Sequence, residues 1–143
     1  MSIQSFDQDA LETELREDEG YKTFVYKDSL GFDTIGIGFL VDRRKGGLRP
    51  EEISFILKNR IGLAAQDMDR RIPWWRTLSP NRQRVLLNMA YQMGVDGLLG
   101  FVNTLRMVQN EDFAGAAEGM LNSLWAKQTP ARAKRLSDRM KAG

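Results

Sequence analysis

Three oxygen-bearing side chains, Glu19, Asp28 and Thr34, stand near one another in the N-terminal part of the chain. Two carboxyl groups that face one gap can hydrolyse a glycosidic bond, because one donates a proton while the other handles water or the sugar cation. The same residue types also occur where an acid ends a helix, another acid caps a turn and a threonine lies on a surface strand. Spacing alone therefore leaves both interpretations open.

A short β-hairpin is predicted to carry Asp28 and Thr34. Residues 21–27 are rich in aromatic and β-branched side chains, which favours a strand. Residues 29–33 form a link that contains glycine, and residues 34–37 favour the returning strand. With this turn, Asp28 and Thr34 lie directly opposite each other, with Cβ atoms about 4.5–5.5 Å apart. A carboxylate and a hydroxyl at that distance can hold one water molecule between them.

The helix before the hairpin is predicted to place Glu19. Asp7 is a suitable N-cap for this helix, and Gly20 suits the position that follows a helix C-terminus. The connection to the hairpin is short, so Glu19 can face the hairpin across a gap. Residues 39–41 can add a third strand, and the charged, glycine-rich segment 42–49 is predicted to be a loop.

Composition narrows the chemistry that the chain can perform. With 143 residues, 42% apolar and 28% charged, the chain has the size and composition of one globular domain. It contains no cysteine and no histidine. Zinc-dependent amidases and peptidases need His or Cys ligands, and papain-like peptidases need a Cys–His pair. Carboxylate-based cleavage of a glycan remains, without a metal or a cofactor.

Charge is distributed unevenly although the net charge is only +2. Residues 7–19 are rich in acids, and residues 127–141 carry six basic side chains and one aspartate. A basic segment attracts polyanions, but a solvated helix face has the same composition. We predict no membrane-spanning segment, and the N-terminus lacks the basic start and apolar core of a signal peptide. The protein is therefore expected to be made in the cytoplasm and to stay there initially.

The rest of the chain is predicted to be helical. A proline followed by two glutamates opens a helix at residue 50, and apolar residues keep helical spacing to about residue 71. Ser79 is predicted to cap a helix that runs to Met93 and stops at Gly94. Further helices are predicted over residues 101–109, from Asp112 through Leu124, and from Pro130 onward.

One segment carries a family pattern. Residues 16–40 read REDEGYKTFVYKDSLGFDTIGIGFL, which contains Glu, eight residues, Asp, five residues, Thr, and then Ile-Gly-x-Gly. This pattern resembles the catalytic core of the phage-type lysozymes, the endolysin muramidases. A second block, residues 88–135, is similar to the same family in the stretches NMAYQMG, GFVNTLRMVQ and WAKQTPARAKR.

The resemblance implies an α+β, lysozyme-like fold in a single domain, residues 1–143. In that fold a small lobe with a β-hairpin and sheet, here about residues 15–55, is joined by a long helix to a larger helical lobe. The helical lobe would comprise about residues 70–143 together with the N-terminal helix. The helix predicted from residue 50 is in the right place to be the connection.

The resemblance also implies a muramidase that cleaves the β-1,4 bond between N-acetylmuramic acid and N-acetylglucosamine in peptidoglycan, with no cofactor or metal. Glu19 then protonates the leaving oxygen, while Asp28 and Thr34 orient the attacking water and the anomeric configuration inverts. Arg132 matches the position that pairs with and orients the catalytic glutamate. Three more side chains match positions that contact the glycan: Leu40, Tyr91 and Thr104. Gly119 stands where the family has a polar groove residue.

We expect a monomeric phage enzyme for host lysis that reaches the cell wall through a separate pore and contacts the anionic envelope electrostatically. Two other functions remain open. A lytic transglycosylase uses one acid and leaves 1,6-anhydro ends, whereas the presence of both Asp28 and Thr34 favours hydrolysis. A non-enzymatic protein could act on the wall or membrane through the cationic C-terminal helix. Nucleic-acid binding is not expected, because basic and aromatic residues do not interleave.

Overall fold

The structure, a computed structural model, describes residues 7–143 and divides into two units, of which the first ends at Ser54 and the second spans Phe55–Gly143. The first unit contains a helix and a four-stranded antiparallel sheet with strand order β1-β2-β3-β4. Its elements are α1 Gln8–Glu19, β1 Lys22–Lys27, β2 Asp33–Gly36, β3 Phe39–Asp42 and β4 Lys45–Gly46. Residues 1–6 of the predicted domain lie outside the described residues, and the predicted division into lobes stays a prediction.

The ends of α1 follow the sequence signals. The Ala10 N–H donates to Asp7 Oδ1 (3.1 Å), so Asp7 satisfies one of the free amides of the first turn. Gly20 follows the last helical residue with a φ of 83°, and its N–H donates to the Arg16 carbonyl (3.1 Å). The positive φ suits glycine, which has no Cβ. Both predicted boundaries of this helix are confirmed.

The register of the first hairpin differs from the prediction. Thr34 pairs with Tyr26, and Asp33 pairs with Lys27, so Asp28 is not opposite Thr34. Asp28 lies in the turn instead, where its N–H donates to the Phe32 carbonyl (2.9 Å). The difference is two positions along one strand, which keeps side chains on the same face because the side-chain period of a strand is two. Asp28 and Thr34 are therefore diagonal neighbours.

Segment 42–49 was predicted to be a loop, but part of it forms a strand pair. Val41 pairs with Gly46 and Asp42 pairs with Lys45, so β3 and β4 form a hairpin around two residues, Arg43 and Arg44. Hydrogen bonds from Arg44 to the Asp42 carboxylate hold this tight turn, and the prediction from charge and glycine content overlooked them.

The remaining elements are helical and include a 3₁₀ helix at Pro73–Thr77. The α-helices are α2 Pro50–Arg71, α3 Pro80–Leu99, α4 Val102–Gln109, α5 Phe113–Leu121, α6 Leu124–Gln128 and α7 Pro130–Ala142. The structure is 69% helical with a small antiparallel sheet in its N-terminal part, which confirms the predicted α+β, lysozyme-like fold. Within residues 7–143, no single helix combines the length and apolar character needed to cross a membrane.

Side-chain caps mark the starts of α3 and α5. Ser79 Oγ accepts from the Arg82 N–H (3.3 Å) at the start of α3, and an Asp112 carboxylate oxygen accepts from the Gly115 N–H (3.0 Å) at the start of α5. Gly94 has non-helical angles (φ 78°, ψ 160°), so α3 is kinked at the predicted stop and helical turns resume after it. The helix predicted from Asp112 through Leu124 is two helices, because α5 ends at Leu121.

Among the described residues, every buried apolar side chain belongs to the second unit. The largest fully buried ones include Trp75, Met68, Ile72, Leu86, Met89, Leu98, Met120, Leu136 and Met140. In the first unit, the buried side chains of the described residues are Thr34 and Asp42, both polar. The first unit therefore relies on hydrogen bonds, turns and ion pairs more than on an apolar core of its own.

Candidate active site

A cavity of about 300 Å³ lies in the first unit. Its volume is at the lower end of the range of roughly 300–1,000 Å³ for ligand pockets. The cavity is lined by Asp18, Glu19, Tyr26, Lys27, Asp28, Ser29, Thr34 and Gly38. The structure therefore brings Glu19, Asp28 and Thr34 together around one space, although the hairpin register differs from the predicted one.

Glu19 is the last residue of α1, and its exposed side chain lies against the turn between β2 and β3. A Cβ on Gly38 would be 2.9 Å from Glu19 Oε2 and 3.3 Å from Glu19 Cβ and Cδ. Gly38 also has a φ of 73°, so it is suited to glycine both by its backbone and by this close approach. The Tyr26 hydroxyl donates to the Glu19 carbonyl (3.4 Å) and ties the helix end to β1.

Asp28 is held within its turn by backbone amides. The N–H groups of Leu30 and Phe32 both donate to Asp28 Oδ1, each at 2.9 Å. Asp commonly bonds to the backbone two residues onward in this manner, which stabilises a turn. Among residues 7–143, no hydrogen bond reaches Asp28 Oδ2. This second oxygen can accept a hydrogen bond from water.

Thr34 is only 2% exposed, and its hydroxyl donates to the Phe32 carbonyl (2.9 Å). Since the hydroxyl proton is used in this bond, the oxygen can accept a hydrogen bond from another group. Phe32 thus contacts both groups through its backbone: its N–H binds Asp28 and its carbonyl binds Thr34. A water molecule with two protons suits the two acceptors that remain.

Sequence reasoning missed an ion pair next to this turn, between the buried Asp42 carboxylate and the exposed Arg44 guanidinium. Arg44 Nε donates to Asp42 Oδ1 (2.8 Å) and Arg44 Nη2 donates to Asp42 Oδ2 (2.9 Å). The Arg44 side chain, followed by the backbone N–H groups of Asp33 and Arg44, holds the pKa of Asp42 well below its usual range. Asp42 also raises the pKa of Arg44. The sequence signal was the Asp-Arg-Arg stretch immediately after a strand, which is compatible with a two-residue hairpin turn.

Two of the predicted site residues line a separate cavity of about 240 Å³ in the second unit. They are Arg132 and Tyr91, and the cavity is otherwise lined by Leu57, Ile61, Arg84, Leu87 and Asn88. Arg132 donates to Asn88 Oδ1 through Nε (3.0 Å) and Nη2 (2.7 Å), which fixes the guanidinium on α7 against α3. The predicted pairing of Arg132 with Glu19 stays a prediction.

The other two predicted glycan contacts line neither of these two cavities. Leu40 is half-buried on β3 and pairs with Thr34. Thr104 is 6% exposed, and a Cβ on Gly119 would lie 2.7 Å from its hydroxyl oxygen. Gly119 thus permits close packing of α5 on α4 at this point.

No group of three or more His, Cys, Asp or Glu side chains in the described part of the chain could hold a metal ion.

Comparisons with known proteins identify relatives over nearly the whole chain. The family model described as "Phage lysozyme" matches residues 16–142, a range that contains every site residue predicted from the sequence. "Probable T4-type lysozyme 1" of Dictyostelium discoideum is 29% identical over 157 residues, which cover 90% of this chain and 92% of that protein. "Pre-baseplate central spike protein Gp5" of Enterobacteria phage T4 is 31% identical, over 86% of this chain and 26% of that protein. "Peptidoglycan hydrolase gp36" of Pseudomonas phage phiKMV is 28% identical, over 89% of this chain and 14% of that protein.

Proposed function

Because the chain belongs to the phage lysozyme family, we propose that it is a muramidase that hydrolyses the β-1,4 bond between N-acetylmuramic acid and N-acetylglucosamine in peptidoglycan. One observation carries the proposal: Glu19, Asp28 and Thr34 line a single cavity. The names of the relatives, which include a probable T4-type lysozyme and a peptidoglycan hydrolase, agree with it.

In the proposed reaction, Glu19 donates its proton to the glycosidic oxygen as the bond from that oxygen to the anomeric carbon breaks. Asp28, ionised, stabilises the positive charge that develops on the sugar. A water molecule donates its protons to Asp28 Oδ2 and to Thr34 Oγ1, attacks the anomeric carbon and gives up one proton to Asp28. Both Asp28 and Thr34 are fixed by Phe32, so the water is held at one place and attacks one face of the sugar. This arrangement favours inversion of the anomeric configuration.

Four further side chains belong to the proposal. The family resemblance supports a role for Arg132 in orienting the Glu19 carboxyl by charge-assisted hydrogen bonds. Tyr91, which is 44% exposed, offers an aromatic face and a hydroxyl to the glycan. Leu40 and Thr104 are the remaining proposed glycan contacts.

The proposed biological role is lysis of a bacterial host by a phage, with the enzyme acting as a monomer and reaching the wall through a separate pore. Electrostatic attraction between the basic α7 and the anionic envelope would assist binding. Within this helix, Lys134 pairs with Asp138 (3.1 Å), which reduces the free positive charge. Hydrolysis is favoured over a purely cationic mode of lysis because Glu19, Asp28 and Thr34 line one cavity.

Turnover of purified peptidoglycan by the wild type and by Glu19→Gln and Asp28→Asn variants tests this function. Loss of a general acid or base costs about 10²- to 10⁴-fold in rate, so both variants should be nearly inactive yet folded. Glu17→Gln, which makes the same change two residues earlier on α1, is the matched control and should retain activity.

The products and the lysis of cells separate the alternatives. Reducing ends of muramic acid, identified by mass spectrometry, support hydrolysis, and 1,6-anhydro ends would indicate a lytic transglycosylase instead. Proton NMR of the first product anomer tests inversion. Full lysis of bacteria by the Glu19→Gln variant would contradict the enzymatic proposal and favour the cationic helix.

A further inference from the structure

Thr34 and Asp42 are the buried side chains of the first unit within its described residues, with exposures of 2% and 5%. Thr34 belongs to the proposed catalytic machinery, whereas the proposed reaction gives no role to Asp42. A buried carboxylate is costly unless it is paired and fully hydrogen-bonded. The presence of a buried carboxylate at position 42 therefore needs an explanation outside the proposed reaction.

Four hydrogen bonds satisfy the Asp42 carboxylate. Three come from Arg44, through its backbone N–H (2.9 Å), Nε (2.8 Å) and Nη2 (2.9 Å). The fourth comes from the backbone N–H of Asp33 (3.0 Å). Asp33 is the first residue of β2 and directly precedes Thr34. Asp42 therefore binds the backbone at the junction between the turn that begins at Asp28 and strand β2.

The Arg44 guanidinium also contacts this turn. Arg44 Nη2 donates to the Gly31 carbonyl (3.2 Å), and the guanidinium carbon lies 5.0 Å from the centre of the Phe32 ring. A guanidinium at this distance over an aromatic ring is attracted to its face. Asp42 and Arg44 together, here called the Asp42–Arg44 clamp, thus contact three consecutive residues of the turn: Gly31, Phe32 and Asp33.

Phe32 connects the clamp to the catalytic groups. Its N–H binds Asp28 Oδ1, and its carbonyl accepts from Thr34 Oγ1, each at 2.9 Å. These two groups belong to the Gly31–Phe32 and Phe32–Asp33 peptides, which are the peptides that Arg44 and Asp42 bind. A displacement of the Phe32 backbone would therefore move both acceptors of the proposed water molecule. The clamp touches neither acceptor directly, so its effect passes through the backbone of the turn.

We infer that Asp42 and Arg44 are positioning residues that hold the two peptide groups on either side of Phe32, and through them Asp28 and Thr34, in the geometry that binds the attacking water. The inference rests on the proposed hydrolytic function. It predicts an effect on the rate of the chemical step and little effect on glycan binding, because neither Asp42 nor Arg44 lines the cavity. A misplacement of about 1 Å remote from the chemistry can cost about 10²-fold in rate.

The test compares Arg44→Ala, Arg44→Lys and Arg49→Ala with the wild type on soluble, uncrosslinked glycan strands. We expect kcat to fall about 10- to 100-fold in Arg44→Ala with KM within about twofold. Arg44→Lys keeps the charge but not the planar fork, so it should restore only part of the rate. Arg49 pairs with Glu51 on an exposed surface of the same unit (2.8 Å), so Arg49→Ala makes the same charge change without touching the turn and should behave as the wild type.

A spectroscopic readout separates positioning from general destabilisation. The backbone amide signals of Leu30 and Phe32 report their hydrogen bonds to Asp28, and we expect them to shift in Arg44→Ala but not in Arg49→Ala. Unchanged kcat with unmoved amide signals, or a rise in KM alone, would overturn the inference. If Arg44→Ala does not fold, Arg44→Lys decides by the same two criteria.

The variant Asp28→Asn in the same assay distinguishes the two proposals. An inactive Asp28→Asn together with a fully active Arg44→Ala rejects only the clamp. A fully active Asp28→Asn rejects the proposed function itself and the clamp with it.

Discussion

Replacing Gly38 with Ala should lower the rate of catalysis in addition to lowering stability. Gly38 has a φ of 73°, and a Cβ there would lie 2.9 Å from Glu19 Oε2 and 3.3 Å from Glu19 Cβ and Cδ. The nearest atom is the end of a flexible side chain on an exposed residue, so the carboxylate can move aside at little cost in free energy. The new methyl group therefore acts mainly on where the proposed proton donor stands.

The structure sets the size of both effects. An ordinary contact begins at 3.4 Å, so Glu19 Oε2 must move by about 0.5 Å from its present 2.9 Å. Since a misplacement of about 1 Å can cost about 10²-fold, we expect kcat to fall by at least about tenfold. The left-handed backbone adds a stability cost of about 1–2 kcal/mol for a residue that has a Cβ.

Turnover of peptidoglycan and urea denaturation, measured on the same protein preparations, test these magnitudes. Gly47→Ala is the matched control, because Gly47 also has a positive φ (138°) in the first unit but nothing lies within 4 Å of its added Cβ. The Gly47→Ala variant should lose stability through backbone strain and keep the wild-type rate of peptidoglycan turnover. A Gly38→Ala variant as active as Gly47→Ala would refute the reasoning that the β2–β3 turn positions Glu19.

Two further predictions concern the second unit. Hydrogen bonds to the Asp69 carboxylate, first from Arg76 and to a smaller extent from Trp75, lower the pKa of Asp69. Ionised Asp69 therefore stabilises the fold above the ordinary Asp pKa of about 4. This stabilisation is lost as the pH falls through the lowered pKa. Asp69→Asn should therefore melt below the wild type at pH 7, with the difference in Tm shrinking toward pH 2; a difference that does not change with pH would contradict this. Met120 is fully buried, so Met120→Ala should lose about 2–5 kcal/mol of unfolding free energy. Urea denaturation should show this loss with an unchanged m-value. A loss under about 1 kcal/mol would argue against a close-packed core around Met120.

Three helix boundaries were predictable because their signals are local. Asp7 binds an amide three residues away, Ser79 does the same at the start of α3, and the positive φ of Gly20 follows from its lack of a Cβ. Each signal lies within one helical turn of the boundary that it marks. Such contacts depend little on the rest of the fold, so residue type and spacing are sufficient to predict them.

The hairpin register was not predictable from strand propensity, because turn chemistry decides it. The sequence favours strands on both sides of residues 29–33 but does not say how many of those residues the turn consumes. Asp28 binds two amides of the turn with one carboxylate oxygen, and this moves the last strand pair to Lys27 and Asp33. The predicted catalytic groups nevertheless line one cavity, because a two-residue shift preserves the face of the sheet.

The Asp42–Arg44 clamp was missed for a different reason, and that reason bears on how the site works. Asp42 reaches back nine positions to the Asp33 amide, and Arg44 reaches back thirteen to the Gly31 carbonyl, so neither contact has a local sequence signal. Since the buried side chains of this unit within residues 7–143 are Thr34 and Asp42, apolar packing within the unit cannot by itself hold the Asp28 turn rigid. The directional bonds of a charged pair hold this turn. In the proposed mechanism, a stretch that composition marks as a charged loop therefore governs where the attacking water is bound.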